Sequence, residues 1–336
     1  MKEFRGFSHG INLGGWYSQS DYSEERYDDF IKKEDFEIIA SWGLDHVRLP
    51  IDYNLFLDEK DDFIEEGMDR IKKAIAWAKD TGLNVILDLH KTKGFSFDEG
   101  EKEAGFFENE RYQELFYRIW EELTRRFAGE GIAFDLLNEI TDAAYMNRWN
   151  KIAQTCAERI RRINKDVYVM VGGYGNNRLE AISDIAVHDD RLVYSFHCYS
   201  PLIFTHQGAY WIRGMDTAFR MDYDSSAADY MRYAKMYLPE DNQDPLPMDK
   251  MNEDYFRNRF RPYVALAKER NIPLYCGEYG VIDRARVDDA YEWISCINRV
   301  FDEYGISRAI WSYKEMDFGL LDKRYDELRE RIVACL

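Results

Sequence analysis

The chain has little of what stabilises small secreted domains or marks membrane segments. Its 336 residues include five cysteines, Cys156, Cys198, Cys276, Cys296 and Cys335. The number is odd, the positions are scattered and no Cys-x-x-Cys pair occurs. That argues against a disulfide framework or a structural zinc site and leaves buried small apolar side chains as the ordinary role. No apolar run approaches the roughly 18 residues needed to cross a bilayer. Asn-x-Ser/Thr is absent. Basic side chains are in deficit, 45 against 63 acidic, for a formal charge of −18. Such a charge repels phosphate backbones and anionic lipid surfaces, so neither a nucleic-acid nor a membrane partner is expected, and its default meaning is solubility. Residues 1–10 carry charge and no uninterrupted apolar block, which with the cysteine pattern gives a cytoplasmic expectation.

Cofactor and metal signatures are missing too. Gly14-Gly15 lacks the spacing of a dinucleotide fingerprint. His9, His46, His188 and His206 show no metal spacing, and the His-x-His of barrel metallohydrolases is not on the first strand. Asp317-Phe318-Gly319 matches a kinase triplet without the accompanying loops and reads as a turn. No metal and no cofactor are expected.

What is present suits a large packed core: 46% hydrophobic residues and 15% aromatics. Short apolar runs at 9–13, 44–49, 84–89, 132–137, 167–171, 192–196, 273–276 and 306–311 read as strands buried on both faces. Amphipathic helices alternate with them at 65–80, 112–127, 149–163, 256–270 and 288–304. In the first of these, Met68, Ile71, Ala74, Ile75 and Ala78 recur at spacings of three and four before Gly82 stops the helix. Eight strands alternating with helices predict an α/β fold, a single (β/α)8 TIM barrel forming one domain over 1–336. A doubly wound sheet is the structural rival.

The rhythm breaks once. Residues 200–254 follow the sixth strand and exceed any usual connection. The segment holds six of the 11 methionines and four of the 7 prolines, and a serine-capped helix is expected over 225–238. Following a strand's C-terminal end, it is a lid or subsite wall, or else a decoration packed outside the barrel.

Chemistry gathers where the apolar runs stop. Arg48 ends the second strand, His90 the third, Asn138 and Glu139 the fourth, His197 and Tyr199 the sixth, Glu278 the seventh and Trp311 the eighth. A barrel converges such groups on one cleft. Two glutamates across a cleft suit glycoside cleavage, one carboxyl protonated for the leaving oxygen and one ionised to attack or to activate water.

Leu136-Leu137-Asn138-Glu139 resembles the acid/base strand of clan A glycoside hydrolases, and Cys276-Gly277-Glu278-Tyr279-Gly280 resembles their nucleophile strand. Family 5 of that clan, the cellulase family, also carries an arginine, a histidine, a His-x-Tyr and a tryptophan on strands two, three, six and eight. Arg48, His90, His197 with Tyr199, and Trp311 are the counterparts here. The segment from Gly10 to Trp16 resembles the family's first strand, and Phe204 to Ala209 followed by Trp211 resembles a segment of some members. The resemblance spans 7–320. It implies a retaining hydrolase of β-linked glucose polymers or oligosaccharides, with Glu278 as nucleophile and Glu139 as acid and then base. It further implies that Arg48 keeps Glu278 ionised, Asn138 grips the sugar 2-hydroxyl and Tyr199 donates to Glu278 or the ring oxygen. His90 and His197 would bind hydroxyls, and Trp311 would stack under the sugar. Trp16 and Trp211 fit substrate contact and core packing equally. A β-mannan substrate or a carbohydrate-binding barrel without turnover are the alternatives. A phosphate-handling barrel is disfavoured, because strands seven and eight end in Glu278 and Trp311 instead of Gly-rich phosphate loops.

Overall fold

In the computed structural model, which describes residues 1–98, 100–239 and 249–336, the apolar runs become strands β1 (His9–Asn12), β2 (His46–Asp52), β3 (Asn84–Lys91), β4 (Ile132–Asp135), β5 (Tyr168–Val171), β6 (Leu192–His197), β7 (Leu274–Glu278) and β8 (Ser307–Ile310). They close into a parallel barrel in sequence order, with β1 pairing both β2 and β8. The sequence stops the second strand at 49 because Pro50 cannot donate a ladder hydrogen bond. In the barrel Pro50 stays in β2, in register with Asp88, and the strand continues to Asp52.

Around the barrel run α1 (Lys33–Ser41), α2 (Glu65–Asp80), α3 (Glu110–Phe127), α4 (Met146–Ile163), α5 (Ala227–Tyr237), α6 (Glu253–Arg270), α7 (Val287–Tyr304) and α8 (Arg329–Val333). After β5 the connection is a 3₁₀ turn, Leu179–Asp184. The apolar stripe of α2 is buried as its periodicity requires, and the chain leaves it through Gly82 at φ +81°. Among the described residues no helix is long and apolar enough to cross a membrane.

Alternation along each strand sets what the barrel contains. Phe4 and Phe7 stack beneath the barrel and pack with Ile86, Ala133, Met170, Val193, Tyr275 and Ala309 as an apolar floor. Two residues further along β3 and β4, the same inward positions are Asp88 and Asp135, and two beyond Asp88 is His90. The interior therefore changes from hydrocarbon to charge on rising toward the C-terminal face.

The 200–254 segment begins with the short helix Leu202–Thr205 and includes α5, capped by Ser226 Oγ accepting from the Asp229 N–H. Residues 240–248 of it lie outside the described residues. Its first part borders the cleft: Ala209 packs with Trp311 and Phe318 in a small apolar cluster also touched by Tyr199 and Ile212.

Candidate active site

Arg48 sits at the barrel's centre, fully buried, with every N–H engaged. Nη1 donates to Glu278 Oε1 at 2.9 Å and to Asn12 Oδ1 at 3.0 Å. Nη2 donates to Asn138 Oδ1 at 2.8 Å. Nε and Nη2 both reach Asp135 Oδ2 at 3.2 Å, and Nη2 lies 3.1 Å from Asp88 Oδ2. Three carboxylates around one guanidinium keep Arg48 charged, while burial pushes Asp88 and Asp135 upward against its pull. Asn12 is itself fixed, its amide donating to the carbonyls of Gly277, Ala309 and Ile310.

Backbone pairing carries the acidic residues beyond the strand ends. Leu136 N–H donates to Met170 O and Asn138 N–H to Leu89 O, so the segment after β4 keeps its place between β3 and β5. Glu139 follows directly. Glu278 closes β7 opposite His197, where a register shift between Phe196 and His197 brings the two side chains together. Tyr199 donates its hydroxyl to Glu278 Oε2 at 3.0 Å. His197 Nδ1 lies 2.7 Å from Glu139 Oε1 and 3.6 Å from Glu278 Oε2. One oxygen of each glutamate and that nitrogen fall within 4.8 Å of one another. Among the described residues this trio alone has ligand spacing for a metal ion, and it coincides with the paired carboxylates. Gly277 makes room for the imidazole: a Cβ there would stand 3.1 Å from His197 Nε2.

The two glutamates differ in surroundings. Glu139 is 8% exposed and its partners are neutral: Asn176 donates to Oε2 at 2.8 Å, and His197 flanks Oε1. Burial pushes the Glu139 carboxyl up to about 7, against smaller downward pulls from Asn176, His90 and Arg48. Burial also lowers His197 to about 3, so the imidazole beside Glu139 is uncharged near neutrality. Glu278 instead receives a direct ion pair from Arg48 and a phenolic hydrogen bond. Glu139 is thus set to hold its proton, while Glu278 faces a cation and a hydroxyl donor.

Asn138 spends its carbonyl on Arg48, and its Nδ2 has no partner among the described residues although the residue is 1% exposed. That leaves a buried donor for a substrate hydroxyl. His90 places Nδ1 2.6 Å from Asp88 and Nε2 3.1 Å from Gln19 Oε1. Its ring lies parallel to Trp311, 8° apart with centroids at 5.8 Å. The indole can reach this position because Gly14 has no Cβ, which would sit 2.8 Å from the ring.

Of the residues singled out from sequence, Arg48, His90, Asn138, Glu139, His197, Tyr199, Glu278 and Trp311 stand together. Trp211 lies at the mouth, 45% exposed and edge-on to His206, which in turn meets Tyr199. Trp16 does not join them. It is wholly buried, stacked on Tyr17 at 3.8 Å and parallel to Trp77 of α2, and its Nε1 donates to Tyr27 O. It therefore packs between barrel and helices and does not line the cleft. His197, expected to face sugar hydroxyls, has its Nδ1 engaged by the glutamates. Several partners were missed. Asp88 and Asp135 had a signal, an acid in the middle of an apolar strand two residues before a polar strand end. Asn176 had none: it arrives on a left-handed loop pinned when Gly175 N–H and Asn176 N–H donate to Thr141 O and Ile140 O.

Comparisons with known proteins agree with this geometry. The family model described as Cellulase (glycosyl hydrolase family 5) matches residues 3–317. Cellodextrinase A of Ruminococcus flavefaciens is 45% identical over 311 residues, 92% of this chain and 86% of that protein. Endoglucanase C of Acetivibrio thermocellus is 34% identical over 339 residues, 98% of each. Among solved structures, an endoglucanase superposes with a TM-score of 0.78 at 24% identity, covering 98% of this chain and 97% of that one. Subunit Z of the clostridial cellulose synthase from Clostridioides difficile gives 0.78 at 23%, covering 98% and 99%. At that identity these structures bear on the fold alone.

Proposed function

The chain belongs to the cellulase family, glycosyl hydrolase family 5, and is a retaining β-glucan hydrolase; from that premise we propose that Glu278 is its nucleophile, Glu139 its acid/base and short β-1,4-linked gluco-oligosaccharides its substrates. The observation that carries the assignment of roles is the pairing of the two carboxylates through His197, within 4.8 Å, with Glu139 among neutral partners and Glu278 paired with Arg48. Retention needs a separation of about 5–5.5 Å, whereas inversion needs about 6.5–9.5 Å to admit a water.

In the first step a Glu278 oxygen attacks the anomeric carbon, and the glycosidic oxygen leaves with the proton of Glu139. In the second, water attacks the glycosyl ester, gives its proton to Glu139 and releases Glu278. Arg48 and Tyr199 hold the Glu278 oxygens in place for attack through a charge-assisted and a phenolic hydrogen bond. Neutral His197 and Asn176 leave the Glu139 proton in place until the leaving oxygen needs it. Asn138 Nδ2 offers its hydrogen bond to the 2-hydroxyl, a contact that strengthens in the transition state. Trp311 supplies an apolar face for the sugar ring. Short oligosaccharides are favoured as substrates because the cellodextrinase shares more identity with this chain than the endoglucanase does.

The test is an activated 2-fluoro β-cellobioside, whose glycosyl-enzyme accumulates. Mass spectrometry of the digest is expected to find the label on the peptide containing Glu278. A label elsewhere overturns the nucleophile assignment.

A further inference from the structure

Four buried carboxyls converge on a single guanidinium. Asp88, Asp135 and Glu278 lie within 3.2 Å of Arg48 nitrogens, and Glu139 is joined to Glu278 through His197. The imidazoles offer no compensating charge, because burial lowers His90 to about 4 and His197 to about 3. With all four acids ionised, three negative charges would stand unbalanced in the interior, which costs far more than holding protons there. Glu139 accounts for one proton. The two aspartates offer a place for a second.

Asp88 on β3 and Asp135 on β4 are direct register partners, both fully buried. Neighbouring strands run about 4.8 Å apart, so the two side chains stand side by side on the inner face. Each turns Oδ2 to the cation: Arg48 Nη2 lies 3.1 Å from Asp88 Oδ2 and 3.2 Å from Asp135 Oδ2. Asp88 Oδ2 also faces His90 Nδ1 at 2.6 Å. Each leaves Oδ1 without a hydrogen-bond partner among the described residues. Two buried acceptors on adjacent side chains satisfy each other only when one of them carries a hydrogen. A single shared proton supplies it, as in carboxylate pairs too close to ionise together. Burial pushes both groups upward against the pull of Arg48, and the charge of Asp88 pushes Asp135 further. Glu139 acts on Asp88 in the same direction, and Tyr275 in the floor stays protonated through burial.

We propose that Asp88 and Asp135 hold one proton between them on the Oδ1 side and are positioning residues for Glu278, acting through Arg48. The pair then presents one negative charge to Arg48 Nη2 and leaves Nη1 to hold Glu278 at 2.9 Å. With both aspartates ionised, Glu278 would compete with two anions for one cation. The location of the proton is independent of the β-glucan reading; the effect on the nucleophile rests on it.

Infrared spectroscopy reads the proton directly, because a protonated carboxyl has a carbonyl band above the amide region that shifts in D2O. Glu139→Gln is the starting protein, so that the acid/base carboxyl contributes nothing. At pH 7 its spectrum is expected to lose one protonated-carboxyl band when Asp135→Asn is added, since the amide then donates to Asp88 and no proton is needed. Asp88→Asn is expected to remove the same band and serves if the other variant fails to fold. A spectrum that neither substitution changes overturns the proposal. Proton linkage gives a second reading. The pair takes up a proton on folding between the ordinary aspartate range and its own raised range, and stability falls as pH rises through that window. Asp135→Asn is expected to remove one proton from this uptake, read from the pH dependence of stability; an unchanged uptake overturns the proposal. For the positioning role, Asp135→Asn is expected to retain about tenfold or more kcat than Asp135→Leu, with KM similar in both. Equal kcat losses overturn that role. A wild-type protein inactive on β-glucans defeats the functional reading, and the infrared band then decides the proton by itself.

Discussion

Replacing Glu139 with glutamine isolates the electrostatic cost of the acid/base carboxyl. Burial raises this group from its ordinary 4.5 to about 7. Between those values the folded protein binds a proton that the unfolded chain has released, so stability falls as pH rises through the window. Above pH 7 the loss is complete; below 4.5 it is absent. The difference of about 2.5 pH units, at about 1.36 kcal/mol per unit, is about 3 kcal/mol. Glutamine keeps the shape of the protonated acid, with a carbonyl toward the Asn176 amide and an NH2 toward His197 Nδ1, and it carries no charge. Glu139→Gln is therefore expected to stabilise the fold by about 3 kcal/mol at pH 8 and by little at pH 4.5. At about 2.1 cal/mol/K per residue, a chain of this length has an unfolding entropy near 0.7 kcal/mol/K, so the gain at pH 8 is a Tm rise of about 4 °C. Paired melts of both proteins at the two pH values, with matched scan rates, read the effect. The same substitution should abolish cleavage of poor leaving groups. A Tm difference independent of pH, or a variant less stable at pH 8, would refute the argument that burial holds this carboxyl protonated.

Two further substitutions test the frame around the glutamates. Arg48→Met removes the cation shared by buried Asp88, Asp135 and Glu278, so a loss of about 3–5 kcal/mol and a melting temperature lower by several degrees are expected along with lost turnover; an unchanged melt would mean the carboxylates do not depend on it. Trp16→Ala is expected to cost about 3–5 kcal/mol with KM little changed. Trp211→Ala, at an exposed position, should leave the melt intact and raise KM for oligosaccharides. The reverse pattern would return Trp16 to the cleft.

The strand ends were legible because a parallel barrel is simple in sequence: apolar runs buried on both faces, each followed by the polar residue that reaches the C-terminal rim. Arg48, Glu139 and Glu278 stood out for that reason, and α2 was readable to its last residue. The ambiguity of Trp16 and Trp211 was equally physical. An indole suits a core and a sugar face alike, and only the fold distinguishes a ring stacked on Tyr17 and Trp77 from one standing beside His206 at the mouth.

Sequence by itself determined the barrel, its order and the two carboxyls, since those follow from periodicity and from residue type at strand ends. It could not assign the carboxyls their different surroundings. Those depend on which neighbours lie within about 3 Å, and Asn176 reaches Glu139, as Arg48 reaches Glu278, from far along the chain. Nor could it place Gln19 and Phe97 beside His90, because loop residues carry no period. Only closure of the barrel brings such groups together, and hydrogen bonding and burial fall off over distances that sequence separation does not encode.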